Sequence, residues 1–245
     1  MPTVNRLPLI GQCNCYLVGD PGAYILVDAG FRGAERRFLR HLKAMGIEPG
    51  DIKLALATHV HFDHVGSLSA LRELCGCPVM VHAAEADLLA RGVVVVPPGA
   101  TFGGRVLSWF GNRVTRFLHF SPVQPDLTVT GPTSLAEWGV NARVVPTPGH
   151  TRGSISLLLP DGEACVGDLM ANCLFYEGYE LFPPFAEDIE AIYTSWEKLL
   201  AVGVHTFYPG HGRPIQARTL RNHLAGDEAA RRREGAVPGE EPAAP

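Results

Sequence analysis

No two of the six cysteines, Cys13, Cys15, Cys75, Cys77, Cys165 and Cys173, form a C-x-x-C pair. A zinc ribbon or a redox dithiol is therefore not indicated, and the six read as free thiols. Charge is also sparse. Charged residues make up 19% of the chain, and 21 Lys and Arg against 25 Asp and Glu leave a net charge of −4. Such a chain has no basic surplus with which to coat a polyanion, so no nucleic-acid partner is expected. The opening "MPTVNRLPLIGQ" lacks a basic head followed by a long apolar run. It reads as neither a secretory signal nor a membrane anchor, and the cytoplasm is the expected compartment. A G-x-S-x-G elbow is missing too, since "TRGSI" lacks the second glycine. A serine nucleophile held on a strained turn is thus not expected.

What is present suits an ordinary folded enzyme. A length of 245 residues with 46% hydrophobic residues is enough for one catalytic-sized domain with its own core. "CYLVG" and "YILVDAG" are β-rich runs joined by the turn residues of "DPGA", which predicts a hairpin. "GAERRFLRHLKAMG" places Phe38, Leu42 and Met45 on one helical stripe and Arg36, Arg37, Arg40 and Lys43 on the other, with Gly46 as the stop. "IKLALA" reads as a strand buried on both faces, followed by the helix "SLSALRELCG" and the strand "PVMVH". Later, "NARVVPT", "SISLLLP" and "EACVGD" predict strands, the last two joined at Asp161-Gly162. "EDIEAIYTSWEKLLAVG" predicts a helix with Ile189, Ile192, Trp196, Leu199 and Leu200 on its buried face. Strand "VHTFYPG" and a short helix near "ARTLRNHLA" close the series.

Two stretches break this rhythm. Residues from about Arg91 to Trp138 have no clean alternation of strand and helix, and the segment reads as an insertion within a domain spanning 1–225. Its Trp109, Phe110, Phe117 and Phe120, with Arg113 and Arg116, are expected to form a lid or wall over the site, a dimer interface or core being the alternatives. The polar tail, 226–245, is expected to be frayed.

Metal-type residues recur after apolar strands in four places: "THVHFDH" (58–64), "TPGHTRG" (147–153), "VGDL" (166–169) and "YPGHG" (208–212). Loops at one end of a sheet can bring such groups together. His59 and His61 are two apart, so an extended backbone sends both imidazoles to one side, whereas Asp63 and His64 are adjacent and diverge. Two neighbouring ions accommodate the four more readily than one. His82, His119, His205 and His223 carry no such context and are read as core or surface imidazoles.

The series "THVHFDH", "TPGHTRG", "GD" and "YPGHG" resembles the motif set of the metallo-β-lactamase superfamily, across residues 58–212. The resemblance implies an α/β fold, a four-layered αββα sandwich with the site at one edge of its two sheets. It also implies that His59, His61 and His150 hold one divalent ion, Asp63, His64 and His211 a second, and that Asp168 bridges them. Zinc is the first expectation, with iron or manganese as alternatives.

Two such cations can activate a water and polarise a carbonyl, with Asp63 as the catalytic carboxylate that relays a proton. The expected activity is hydrolysis of an ester, thioester or lactone in a small-molecule substrate, resembling the glyoxalase II-like and lactonase-like branch. Antibiotic-hydrolysing members of the superfamily typically lack the bridging aspartate. Only about thirty residues follow His211, which puts a glutathione thioester in doubt. Alternatives are a mononuclear iron sulfur dioxygenase of the same superfamily and a non-catalytic, metal-braced binding module. A homodimer is compatible with all of these.

Overall fold

The computed structural model describes residues 1–9, 13–95, 99, 119–172 and 181–235, the last eight of these by backbone alone. Strands β1 (Thr3–Leu7), β2 (Cys15–Asp20) and β3 (Ala23–Val27) form an antiparallel meander. Pro21 and Gly22 turn β2 into β3, and Gly22 adopts a φ of 94°, which a residue without a Cβ reaches at little cost. The chain then passes through α1 (Glu35–Met45) to β4 (Ile52–Leu56), parallel to β3. Next come α2 (Phe62–Val65), α3 (Leu68–Cys75), β5 (Val79–His82) and α4 (Ala86–Arg91). With β6 (Leu127–Val129) the first sheet runs β1-β2-β3-β4-β5-β6.

The second sheet contains β7 (Thr133–Ser134), β8 (Arg143–Pro146), β9 (Ile155–Leu158), β10 (Glu163–Asn172), β11 (Thr206–Gly212) and β12 (Ile215–Gln216), in the order β12-β11-β10-β9-β8-β7. Among the described residues its one parallel pair is β10 with β11, with α5 (Ile189–Ala201) between them in the chain. The helix α6 (Ala217–Gly235) follows β12.

The period of two along the strands explains the layering. In β3, Ile25 and Val27 face the second sheet and pack with Leu54, Leu56, Val144, Ile155 and Leu157. Tyr24 and Leu26 face the other way, toward Phe38 and Leu42 of α1 and Leu68 and Leu71 of α3. The outer face of the second sheet buries Val166 and Phe207 under Ile192, Trp196 and Leu199 of α5 and Leu220 of α6. Helix, sheet, sheet and helix are thus stacked in four layers, the expected αββα sandwich. Trp196 is fully buried, and its indole N–H donates to the Leu169 carbonyl at 3.0 Å, which ties α5 to the residue next to Asp168. Full burial of a large side chain of this kind is worth about 1.5–3 kcal/mol, with the hydrogen bond preventing a polar penalty.

Several details depart from the sequence reading. Met45 and Ile189, expected on buried stripes, are 40% and 41% exposed because they sit at helix ends that overhang the sheets. Residues 120–138 belong to both sheets: Phe120 and Val123 are buried in the first core, β6 extends the first sheet and β7 the second. Phe120 is therefore core and lines no wall. Strands of two or three residues are too short to show a period, so they were hidden within an irregular stretch. Trp109, Phe110, Arg113, Arg116 and Phe117 lie outside the described residues. α6 continues to Gly235, past the expected start of the tail, consistent with the strong helix propensity of Ala, Glu and Arg in "DEAARRRE". Among the described residues no helix is long and apolar enough to cross a membrane.

Candidate metal centre

His59 and His61 lie in the bend that follows β4, and the backbone is extended at His61, with φ −110° and ψ 149°. α2 then begins and carries Asp63 and His64. The change of backbone at His61 is what separates the four side chains into two directions. His59 Nε2 lies 3.0 Å from His61 Nδ1, and His150 Nε2 lies 3.1 Å from the same atom. Nitrogens bound at about 2.0–2.1 Å around a tetrahedral centre would stand about 3.3–3.4 Å apart, so this spacing suits three ligands of one ion.

The hydrogen bonds on the far side of each ring decide which nitrogen faces inward. His150 Nδ1 donates to the Phe185 carbonyl at 2.8 Å, leaving Nε2 with its lone pair. The Thr58 hydroxyl donates to Asp28 Oδ2 at 2.8 Å and so accepts from His59 Nδ1 at 3.1 Å, which frees His59 Nε2. His61 Nε2 is buried without a partner. If its proton sits there, Nδ1 adds a third lone pair to the cluster. Burial holds His59 well below the ordinary imidazole range, lowers His61 to about 3 and lowers His150 as well. Three neutral imidazoles with converging lone pairs repel one another unless a cation stands among them.

A second group lies beside the first. His64 Nδ1 donates to Asp28 Oδ2 at 2.8 Å, and its Nε2, buried and without a hydrogen-bond partner, stands 3.3 Å from Asp168 Oδ1. His211 Nε2 is 3.2 Å from Asp63 Oδ2 and 3.5 Å from Asp168 Oδ2. Burial alone would lower His64 and His211, but the surrounding carboxylates outweigh it and raise both. Burial would likewise raise Asp63 and Asp168, yet the imidazoles bring Asp63 down to about 2 and Asp168 well below its usual range. Two carboxylates facing two imidazoles thus arrange this half of the centre for positive charge.

Asp168 joins the two halves. Its Oδ2 is 3.7 Å from His150 Nε2, and its Oδ1 faces His64. The strand β10 does not end at this residue, as the sequence reading had it, but continues to Asn172, with register irregularities between Cys165 and Gly167 and between Gly167 and Ala171. Such irregular pairing re-aims side chains within a strand. Glycines permit the close approach on the other strands. A Cβ on Gly149, at φ 140°, would meet Ile192, and one on Gly210 would meet Asp168 Oδ1 and His64 Cε1.

All seven residues singled out from the sequence converge in this region. Among the described residues two candidate donor groups result: His59, His61, His150 and Asp168, and then Cys13, His64 and His211. Cys13 is buried and, as expected, a free thiol, but its place beside His64 and His211 was not foreseen. Asp28, Thr58 and Glu85 were also missed. Buried Glu85 accepts from the Val60 N–H at 3.0 Å and so fixes the backbone between His59 and His61. Asp28 closes an apolar strand just as Asp168 follows one, and that signal could have found it. Cys13 had no comparable signal.

Residues 9–211 match the metallo-beta-lactamase superfamily. The chain belongs to that superfamily. Its sequence is 28% identical over 222 residues to "Probable metallo-hydrolase YflN" of Bacillus subtilis, covering 85% of this chain and 82% of that protein. It is 27% identical over 192 residues to "Probable metallo-hydrolase MJ0888" of Methanocaldococcus jannaschii, covering 77% and 82%. A metallo-beta-lactamase family protein from Thermus thermophilus superposes with a TM-score of 0.65 at 25% identity, over 94% of this chain and 81% of that one. The BLEG-1 B3 metallo-beta-lactamase gives 0.68 at 21% identity, over 90% and 97%, a likeness of fold. Within the superfamily's sandwich, the described donor groups lie where β4, β8, β10 and β11 present their loops and bulges.

Proposed function

We propose that the protein is a dinuclear metallo-hydrolase that opens an ester, thioester or lactone carbonyl of a small molecule. The observation that carries this reading is the position of Asp168, one oxygen toward His64 and the other toward His150 and His211. His59, His61 and His150 would hold the first ion and Asp63, His64 and His211 the second, with Asp168 shared between them. Imidazole and carboxylate donors suit zinc, and iron or manganese are the alternatives. When bound, such a pair supplies Lewis acidity toward a carbonyl oxygen and an acidified water.

The chain's own residues do the rest. Asp28 orients His64 directly and His59 through Thr58, so one buried carboxylate fixes rings in both halves. Asp63 contacts His211 and is 16% exposed at its side chain, open enough to pass a proton to the departing alcohol or thiol. Phe62, between His61 and Asp63 in sequence, packs against the first core and edge to face on Phe31, with centroids 5.5 Å apart, which anchors the start of α2. The relatives named as metallo-hydrolases support the same class of reaction.

The test is a panel of esters, thioesters and lactones given to the wild type and to His59→Ala and His150→Ala. Hydrolysis should fall by at least about a hundredfold in each variant, the scale of losing a metal-centred contribution of several kcal/mol. Unchanged turnover would sink the reading. One bound iron with oxygen uptake would place the protein with the dioxygenases, and metal binding without turnover would leave a braced binding module.

A further inference from the structure

Cys13 stands just ahead of β2, and its place is tightly set. It forms an isolated antiparallel bridge with His211 across the two sheets. The next residue, Asn14, donates its backbone N–H to Gly210 at 2.6 Å and its side-chain amide to the Pro209 and Gly212 carbonyls at 2.9 and 2.8 Å. Tyr16 adds a bond from its hydroxyl to the Pro209 carbonyl at 2.7 Å. The segment bearing Cys13 is therefore clamped onto the strand that carries His211, although nearly two hundred residues separate them.

The thiol faces the second donor group. Cys13 is buried, and its Sγ lies with one nitrogen each of His64 and His211 in a cluster whose members are all within 4.8 Å of one another. Asp28 occupies His64 Nδ1, so Nε2 is the nitrogen left for a ligand, and that atom is buried and unpartnered. Asp168 Oδ1, buried and likewise without a hydrogen bond, stands 3.3 Å from that nitrogen. The thiol neighbours Cys15 and makes a long contact of 3.6 Å to the Asn14 carbonyl, too weak to hold it away from a cation.

We propose that Cys13, as its thiolate, is a further ligand of the second metal position, a sulfur donor alongside His64 and His211. The inference rests on the dinuclear reading above. On binding, the S–H bond breaks, the proton leaves to solvent, and a sulfur lone pair is donated to the ion with no change of oxidation state. A soft donor in this half biases it toward zinc over manganese. It also makes this half the oxidation-sensitive one, because a thiolate is the form that oxidants attack.

Cobalt(II) alone, titrated into the full chain after chelator treatment, reads this directly through the near-ultraviolet charge-transfer absorption of a cobalt–thiolate bond. The wild type should take up two equivalents, with the band growing as the second binds. Cys13→Ser should lose the band and bind the second cobalt at least about tenfold more weakly. Cys15→Ser should keep both, and Cys13→Asp, which restores a donor without sulfur, should recover the second equivalent but no band. Two equivalents bound by the wild type without the band, or a band that survives in Cys13→Ser, would overturn the inference and leave the dinuclear reading standing. Uptake of fewer than two equivalents by the wild type would overturn both. Circular dichroism of each variant confirms the fold, and Cys13→Asp carries the test if Cys13→Ser fails to fold.

Discussion

Asp28 accepts the Nδ1 hydrogen of His64 across 2.8 Å in a place where both side chains are almost sealed from solvent. The same carboxylate takes the Thr58 N–H and hydroxyl, and it does so from a left-handed backbone at φ 59°. Asparagine tolerates that conformation about as well as aspartate does. Asp28→Asn therefore tests the acceptor rather than the backbone: an amide cannot receive Thr58 and His64 through both of its ends. Metal affinity should fall by about 10–100-fold, the usual effect of losing a partner that orients a ligand. Competition with a chelator measures it, and unchanged affinity would show that Asp28 does not orient these rings.

Gly210→Ala should separate metal binding from folding. A Cβ there would meet Asp168 Oδ1 and lie 2.6 Å from His64 Cε1, so both side chains would have to move. Crowding of this kind costs about 1–3 kcal/mol of stability, which a folded domain commonly survives. The variant should melt cooperatively at a lower temperature and, in elemental analysis, carry about one ion fewer than the wild type. Full occupancy would mean that the Gly210 strand has more freedom than its contacts suggest.

The ligand-bearing loops were legible in the sequence because each puts histidine or aspartate straight after an apolar run, and spacing alone divides His59 and His61 from Asp63 and His64. The strands were legible for the same reason of period, as with Ile25 and Val27 against Tyr24 and Leu26. What escaped depends on pairs that spacing cannot report. Asp28 meets Thr58 thirty residues away, and Cys13 meets His211 only because two sheets are stacked. β6 and β7 were hidden because two or three residues display no period. Met45 and Ile189 escaped because a helical stripe does not say where the helix overruns its sheet.

Asp168 also bears on the class of substrate. A carboxylate facing both donor halves would neutralise charge between two ions, and as part of the proposed function we expect this protein to differ in substrate from the antibiotic-hydrolysing members of its superfamily. Penicillins and carbapenems should be turned over with kcat/KM below about 10⁴ M⁻¹s⁻¹, the low end of ordinary enzymes. Efficient hydrolysis of either by the purified protein would reverse that expectation. Asp168→Asn should lose occupancy of the second position first and activity with it, and a variant that keeps both would show that the aspartate is not shared.

The most direct test of the account is a titration of the metal-free protein with zinc while hydrolysis of a responsive ester, thioester or lactone is followed. Turnover should be negligible without metal, rise with added zinc and level off at two equivalents per chain. Hydrolysis that persists without metal, or that saturates at one equivalent and gains nothing from a second, would contradict a dinuclear hydrolase.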